Sequence, residues 1–170
     1  DGTTYKFSTI TDVTKSNTGN SIPFLNTDIY EGTFITTRYT VDSSDIDQRF
    51  LLTDNRADTT TLTVKVQTSS SDSTTTTYTK TTDITQVTAS SNVYYLQEVE
   101  AGLFEIYFGD GVIGSALSDG NIVILTYVVS NKSLANGASL FTNAATIASV
   151  SDVAVATVEA ASAGSEPESL

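Results

Sequence analysis

The feature that most constrains the fold of this chain is a series of short runs in which β-branched and aromatic residues alternate with polar ones. In Thr61–Gln67 (TLTVKVQ) the alternation is strict, and it places Leu62, Val64 and Val66 on one face. A period of two residues is typical of a strand with one buried face, whereas a helix repeats about every 3.6 residues. This segment is therefore predicted to be a strand.

Similar runs recur along the chain, and turn-forming residues separate them. The chain also contains 30 threonines in 170 residues, and threonine is favoured on half-exposed strands because its side chain branches at Cβ. We predict an all-β fold, with antiparallel sheets in a sandwich or a partly open barrel and with little helix. The predicted strands are Tyr5–Val13, Gly32–Val41, Phe50–Thr53, Thr61–Gln67, Thr74–Lys80, Val93–Val99, Leu103–Phe108 and Asn121–Val129.

The end of the chain differs in composition. Between residues 146 and 160 the spacing of Ile147 and several valines fits a helix or a strand, and β-branching favours the strand. The last ten residues (ASAGSEPESL) are small and acidic and contain proline, which is typical of a linker. We expect a β-rich domain over residues 1–145, which could divide into two subdomains near 88–92. Residues 146–170 are expected to form a strand and a linker into the next segment of a longer chain.

The composition excludes several classes of function. The chain has neither cysteine nor histidine, so it lacks the residues for disulfides, thiolate or imidazole metal sites, and Ser-His-Asp or Cys-His catalysis. Its formal net charge is −12, and residues 81–170 hold ten acidic side chains against one basic one, Lys132. A surface this acidic repels nucleic acid and anionic lipid. The longest apolar run, Ile122–Val129, is too short to cross a bilayer as a helix. We therefore expect neither a nucleic-acid nor a membrane partner.

One motif has the pattern of a nucleotide-binding loop. In Phe108–Gly114 (FGDGVIG), three glycines match G-x-G-x-x-G after a predicted strand. A dinucleotide loop requires a helix that begins at the third glycine, because the N-terminal amides of that helix hold the pyrophosphate. Here SALSDGN follows Gly114 and leads to a strand, and no acidic residue for the ribose lies in Asn131–Asn136. We predict a tight turn that reverses the chain between strands and binds no cofactor or small-molecule substrate.

Acidic residues in turns are the candidates for a calcium site. Asp54, Asp58, Asp110 and Asp119 all lie in predicted turns. Calcium loops, however, place several oxygen ligands at short fixed spacing, as in D-x-[DN]-x-[DN]-G, and aspartate is a common turn former in its own right. We therefore predict no metal site. The residues predicted to form structural turns are Gly109, Asp110, Gly111, Gly114, Asp119, Gly120, Asn136 and Gly137.

Glycoside hydrolysis would require two carboxylates that face each other across a cleft. Glu98, Glu100 and Glu105 are candidates by residue type alone. Glu98 and Glu100 alternate along a predicted strand, as residues on a solvated face do, and the chain has no tryptophan to stack on a sugar. We predict no catalytic residue and expect that the chain is not an enzyme.

A resemblance to a known family covers nearly the whole chain. Residues 91–141 (SNVYYLQEVEAGLFEIYFGDGVIGSALSDGNIVILTYVVSNKSLANGASLF) resemble the core of the large baseplate wedge subunit of T-even-type contractile-tail phages and, more broadly, the baseplate-J-like proteins. FGDGVIG, followed by DGNI and Tyr127, is the most specific part. DGTTYKFST at the start, FLLTDNRADTTTLTVKV at 50–66 and the closing AGSEPESL also fit the family pattern. One departure lies at Asn131 and Lys132, where many relatives carry a glycine.

The resemblance implies a virion structural protein of the tail baseplate that assembles in the host cytoplasm. Its implied partners are copies of itself and neighbouring wedge proteins, and this piece would be an internal β domain that does not close the baseplate ring. The residues alone leave an alternative open, a secreted β-sandwich adhesin or surface-layer module, which threonine richness and acidity would suit equally. A carbohydrate-active enzyme or lectin is a more distant third.

Overall fold

The chain folds into two units, each defined by its own internal contacts. In the computed structural model, which describes residues 2–16, 19 and 21–166, the first unit comprises residues 33–130. The second is formed by the residues before 33 and those after 130. We call them the sheet unit and the flanking unit. Residues 88–92, where the sequence suggested a subdomain boundary, lie inside the sheet unit.

The sheet unit is a single seven-stranded sheet, and a small two-stranded sheet lies in the flanking unit. The described strands are β1 (Phe7–Ser8), β2 (Tyr30–Glu31), β3 (Thr33–Thr40), β4 (Phe50–Leu52), β5 (Ala57–Gln67), β6 (Thr75–Lys80), β7 (Val93–Glu98), β8 (Phe104–Phe108) and β9 (Ile122–Val129). The large sheet has the order β3-β9-β5-β6-β7-β8-β4, and the small one pairs β1 with β2. Every pair is antiparallel except β6–β7, which is parallel.

The large sheet curls into a nearly closed barrel, because its two outermost strands approach each other. Tyr39 of β3 donates its hydroxyl to the carbonyl oxygen of Leu51 in β4 at 2.6 Å, and its ring meets that of Phe50 at 5.7 Å. Next to β4, the N–H of Thr53 donates to the hydroxyl of Tyr127 at 3.2 Å. Tyrosine hydroxyls thus take the place of main-chain hydrogen bonds at the seam. The predicted all-β fold is confirmed, in its barrel form.

The barrel interior is filled by alternate residues of the strands, as the period of two predicted. Edge-to-face ring contacts run from Phe50 to Phe108 (5.6 Å between centroids) and from Phe108 to Tyr78 (5.2 Å). Such contacts are favoured by the charge distribution of aromatic rings. The fully buried side chains of this core are Phe50, Leu52, Val64, Ile106, Val123, Leu125 and Tyr127.

Seven of the predicted strands are present in the sheet unit, with ends that differ by a few residues. The largest difference is in β5, which begins at Ala57 and contains a shift in register against β9 between Asp58 and Thr63. Thr61 bridges this irregularity, since its hydroxyl accepts the N–H of Val128 at 2.9 Å and donates to the carbonyl oxygen of Asp58 at 2.7 Å. The side chain of Thr61 thereby replaces a main-chain hydrogen bond between β5 and β9.

The flanking unit departs more from the prediction. The run Tyr5–Val13 forms only the two residues of β1, and its partner β2 was not predicted. No strand forms among residues 146–160, where the only pairing is an isolated bridge between Ile147 and Val150. β-Branching alone does not make a strand when no neighbouring strand supplies hydrogen bonds. The last part of the expected linker, residues 167–170, lies outside the described residues.

Helical structure in the described ranges is limited to single 3₁₀ turns. They span Ile84–Gln86, Glu100–Gly102 and Lys132–Ala135. Over the same ranges, no helix is long and apolar enough to cross a membrane.

Candidate functional site

The glycine motif Phe108–Gly114 forms a closed loop that hydrogen-bonds to itself. Oδ1 of Asp110 accepts the N–H groups of Val112 and Ile113, each at 2.9 Å, and the N–H of Gly111 donates to the carbonyl oxygen of Gly114 at 3.0 Å. The bonds from Ile113 and Val112 hold the pKa of Asp110 below its ordinary value. A phosphate loop offers such amides to its ligand. In this loop the aspartate carboxylate occupies them, which supports a structural role.

The glycines of the motif are required for two different reasons. Gly111 and Gly114 have φ values of +86° and +89°, a region that glycine adopts without steric cost. Gly109 has no positive φ, but a Cβ there would lie 2.3 Å from the carbonyl oxygen of Ile113. Gly109 therefore permits the close approach that shuts the loop.

The loop lies within a longer connection and does not form a hairpin. β8 pairs with β7 and β4, whereas β9 pairs with β3 and β5, so the flanking strands are not hydrogen-bonded neighbours. Two bonds fix the end of the loop on the segment before β7. The N–H of Gly114 donates to the carbonyl oxygen of Thr88 at 3.1 Å, and that of Ser115 to Ser91 at 2.8 Å.

The turn at Asp119-Gly120 ties β9 to the ends of neighbouring strands. Oδ1 of Asp119 accepts the N–H of Ser43 at 3.1 Å, and the N–H of Gly120, at φ +75°, donates to the carbonyl oxygen of Val41 at 3.0 Å. The side chain of Asn121 donates to the carbonyl group directly after β5 at 2.8 Å. The sequence identified the first two residues as turn formers, but not the contact of Asn121 with Thr68, which lies 53 residues away in the chain.

The turn at Asn136-Gly137 holds the last described segment of the flanking unit. The side chain of Asn136 donates to the carbonyl oxygen of Gly164 at 2.8 Å and accepts the N–H of Gly164 at 3.0 Å. The N–H of Gly137 donates to the carbonyl oxygen of Ala161 at 2.8 Å. A Cβ at Gly164 would lie 2.2 Å from the carbonyl oxygen of Lys132. Gly164 is therefore a structural position that the sequence pattern did not reveal.

Lys132 has a backbone conformation that glycine adopts more readily than other residues. Its φ is +56°, in the left-handed region. Its ammonium group lies 3.1 Å from a carboxylate oxygen of Glu166.

The four aspartates considered for calcium each bind other groups of the protein. Asp54 forms an ion pair with Arg56 at 2.9 Å, and Asp58 accepts the N–H of Thr60 at 2.9 Å and its hydroxyl at 2.6 Å. Asp110 and Asp119 bind main-chain N–H groups, as described above. Among the described residues, no group of three or more acidic side chains is placed to hold a metal ion. This arrangement favours turn formation over metal binding.

The glutamates considered for glycoside hydrolysis do not form a facing pair. Glu98 is opposite Phe104 and Glu105 is opposite Gln97 across β7 and β8, so the side chains of Glu98 and Glu105 project to opposite faces of the sheet. Glu100 lies outside both strands, in a 3₁₀ turn.

A surface that sequence reasoning missed lies on the outer face of β7 and β8. The ring of Tyr107 stacks on that of Tyr95, with centroids 5.0 Å apart and an interplanar angle of 16°. The guanidinium of Arg49 lies 4.4 Å from the centroid of Tyr107 and 3.7 Å from a carboxylate oxygen of Glu105. We call these four residues the tyrosine face. Tyrosine and arginine are enriched where proteins bind one another. Tyr95 lies opposite Tyr107 because β7 pairs with β8.

The family of the chain follows from comparison with known proteins. A family model described as bacteriophage baseplate wedge protein gp6, third domain, matches residues 35–139. That match covers more than half of the chain. The chain belongs to this family. No curated protein matches it.

Membership of the wedge-protein family confirms the resemblance seen in the sequence and indicates a structural role in the phage tail baseplate. The matched segment extends from β3 to just beyond the turn at Asn136-Gly137. It therefore includes the glycine motif and the tyrosine face.

Proposed function

We propose that this chain is a virion structural domain that acts in baseplate assembly through contacts with copies of itself and with neighbouring wedge proteins. The family match over residues 35–139 is the observation that carries the proposal. Assembly takes place in the host cytoplasm, and the chain performs no catalysis. It engages no nucleic acid, membrane or small-molecule substrate.

The side-chain chemistry supports a structural role. The polar groups at the candidate sites bind the loops that carry them, so they brace the barrel and are not presented to a substrate. The tyrosine face and strongly exposed apolar side chains offer surface for protein contacts. Ile46 is 91% exposed and Val112 is 71% exposed, each in a loop of the sheet unit. Large exposed apolar groups of this kind suit surfaces that other subunits cover.

The central test is whether baseplates require the chain. Phage in which the gene carries a stop codon is grown in host cells with and without wild-type protein supplied in trans. We expect particles without a complete baseplate in the first case and normal particles in the second, as seen by electron microscopy. Infective particles with normal baseplates in the absence of the chain would overturn the proposal. Recovery of wedge intermediates from the soluble fraction of unlysed cells would support assembly in the cytoplasm.

The tyrosine face provides a test of the contacts themselves. Arg49→Glu reverses the charge beside Tyr107, and we expect folded protein that enters baseplates poorly. Lys65→Glu is the matched control, because Lys65 is an exposed basic residue on β5, in the middle of the sheet. Equal incorporation of both variants, measured by mass spectrometry of purified baseplates, would show that this face makes no essential contact.

A further inference from the structure

β3 is an open edge of the barrel. Among the described residues it pairs with β9 alone, in unbroken register from Thr33 opposite Val129 to Thr40 opposite Ile122. In an antiparallel pair, successive residues direct their N–H and C=O groups alternately toward and away from the partner strand.

Two contacts at the end of β3 show which residues point away from β9. Val41 donates its N–H to the carbonyl oxygen of Asn121 on the β9 side at 2.8 Å. Thr40 accepts the side chain of Gln48 at 3.1 Å on the other side. By alternation, the N–H and C=O groups of three residues before Thr40 face away from β9, and all three residues are exposed: Phe34, Thr36 and Arg38.

The usual devices that protect an edge strand are missing from β3. Natural edges are shortened, bulged, or guarded by proline or by charged side chains, because an unpaired edge attracts another strand. β3 has eight residues, no proline or lysine and no bulge. Its one charged side chain, Arg38, reaches across the sheet to Oε1 of Gln67 at 3.1 Å. Gln48 covers only the end of the strand, where it also accepts the N–H of Asp42 at 3.0 Å.

The opposite edge, β4, is closed. It has three residues, and tyrosine hydroxyls bind one main-chain group in the strand and one directly after it. Tyr39 binds the carbonyl oxygen of Leu51, and Tyr127 binds the N–H of Thr53. Tyrosine hydroxyls thus occupy the β4 edge, whereas Phe34, Thr36 and Arg38 of β3 direct their main-chain groups away from β9.

The charge beside the edge indicates the chemistry of its occupant. The loop after β3 carries three exposed acidic residues, Asp42, Asp45 and Asp47, and Asp119 binds the N–H of Ser43 in the same loop. Across residues 33–48 the only basic side chain is Arg38. A second copy of the chain would bring another formal net charge of −12 to this edge, so a segment with basic residues is favoured over self-pairing.

We propose that β3 is the docking edge for an extended segment of a neighbouring wedge protein. The segment adds to the barrel as a strand along Phe34–Arg38, with lysine or arginine at the end that lies beside the Asp42–Asp47 loop. Main-chain hydrogen bonds supply the attachment, as in other cases of strand addition, and the charges set the direction. The inference rests on the proposed role in baseplate assembly, and it specifies one of the contacts through which the chain would assemble.

Site-specific cross-linking tests the occupant. The chain has no cysteine, so Thr36→Cys gives it a single attachment site, on the edge strand, for a maleimide-benzophenone probe. The matched control is Lys65→Cys, which is exposed but paired on both sides by β6 and β9. In assembled wedges we expect the probe at position 36 to capture a lysine- or arginine-containing peptide of another wedge protein, and the probe at position 65 not to capture that peptide. Capture of a second copy, capture within the chain, or no capture would overturn the proposal.

Hydrogen exchange supplies an independent readout. In the free protein the amides of Phe34, Thr36 and Arg38 should exchange faster than those of Ile35 and Thr37, which face β9. In assembled wedges we expect the first three to slow on the order of tenfold or more, since each gains a hydrogen bond. Unchanged rates in wedges that contain the protein would overturn the edge proposal alone. Absence of the protein from wedges would instead refute the proposed function.

Discussion

A side chain at Gly109 and a side chain at Gly120 would each destabilise the protein, but for different physical reasons. At Gly109 a Cβ would collide with main-chain atoms, whereas Gly120 has a φ of +75° and no atom within 4 Å of a Cβ. We expect Gly109→Ala to lower the free energy of unfolding by about 3 kcal/mol, because the loop must open. The control Gly120→Ala should lose about 1–2 kcal/mol through backbone strain. Urea unfolding measures both, and equal losses would contradict the steric role of Gly109.

The charge on Asp110 should stabilise the loop only above acid pH. Hydrogen bonds from Ile113 and Val112 lower the pKa of its carboxyl group in the folded state. Its contribution is therefore complete above the ordinary pKa, near about pH 4, and is lost as the pH falls through the lowered one. Asp110→Asn should reduce the melting temperature at neutral pH, and the difference from wild type should shrink toward about pH 2. Glu159→Gln on the exposed tail is the control for charge removal. A difference independent of pH would contradict this account.

At the level of structural elements, tyrosine hydroxyl groups hold the barrel together where β3 approaches β4. Tyr127 is fully buried, and its hydroxyl accepts the N–H of Thr53. Tyr127→Phe leaves that donor without its partner, so we expect a loss of about 1–3 kcal/mol in the free energy of unfolding. Tyr95→Phe is the control, because its hydroxyl makes only a long 3.5 Å contact with Ile113, and it should change stability by less than about 0.5 kcal/mol. Similar losses in the two variants would show that the seam bond contributes nothing specific.

The loop between β8 and β9 is predicted to bind no nucleotide. The N–H groups of Val112 and Ile113 are occupied by Asp110, and a strand instead of a helix follows the loop. Isothermal titration calorimetry with NAD, FAD and ATP should show no heat of binding. Micromolar affinity for any of them would mean that the loop opens to accept phosphate.

For the molecule as a whole, repulsion between its many negative charges should lower the stability at low salt. The formal net charge is −12, and self-repulsion weakens as salt screens it. We expect the melting temperature to rise modestly with NaCl, and calcium to add nothing beyond its ionic strength. A specific site at Asp54, Asp58, Asp110 or Asp119 would instead stabilise the protein by about 2.7 kcal/mol at a hundredfold excess of calcium over Kd. Thermal scans at matched ionic strength, with millimolar calcium or with chelator, distinguish these outcomes.

What the sequence determined by itself is the set of strands in the sheet unit. Alternation in Thr61–Gln67 and similar runs arises from local geometry, since a strand with one buried face repeats every two residues whatever its partner. The same holds for Gly111 and Gly120, whose positive φ is a local demand of the turn. Where the alternation was weak, as in residues 146–160, β-branching favoured a strand that does not form, because a strand also requires a neighbour.

What only the tertiary structure decided is which strands are neighbours and which edge stays open. Tyr95 and Tyr107 meet because β7 pairs with β8, and Gly164 is required because a distant carbonyl group lies against it. The order β3-β9-β5-β6-β7-β8-β4 brings together residues far apart in the chain and leaves β3 with one partner strand among the described residues. Hydrogen bonds between strands are formed by main-chain groups that every residue shares, so a local pattern does not specify the partner.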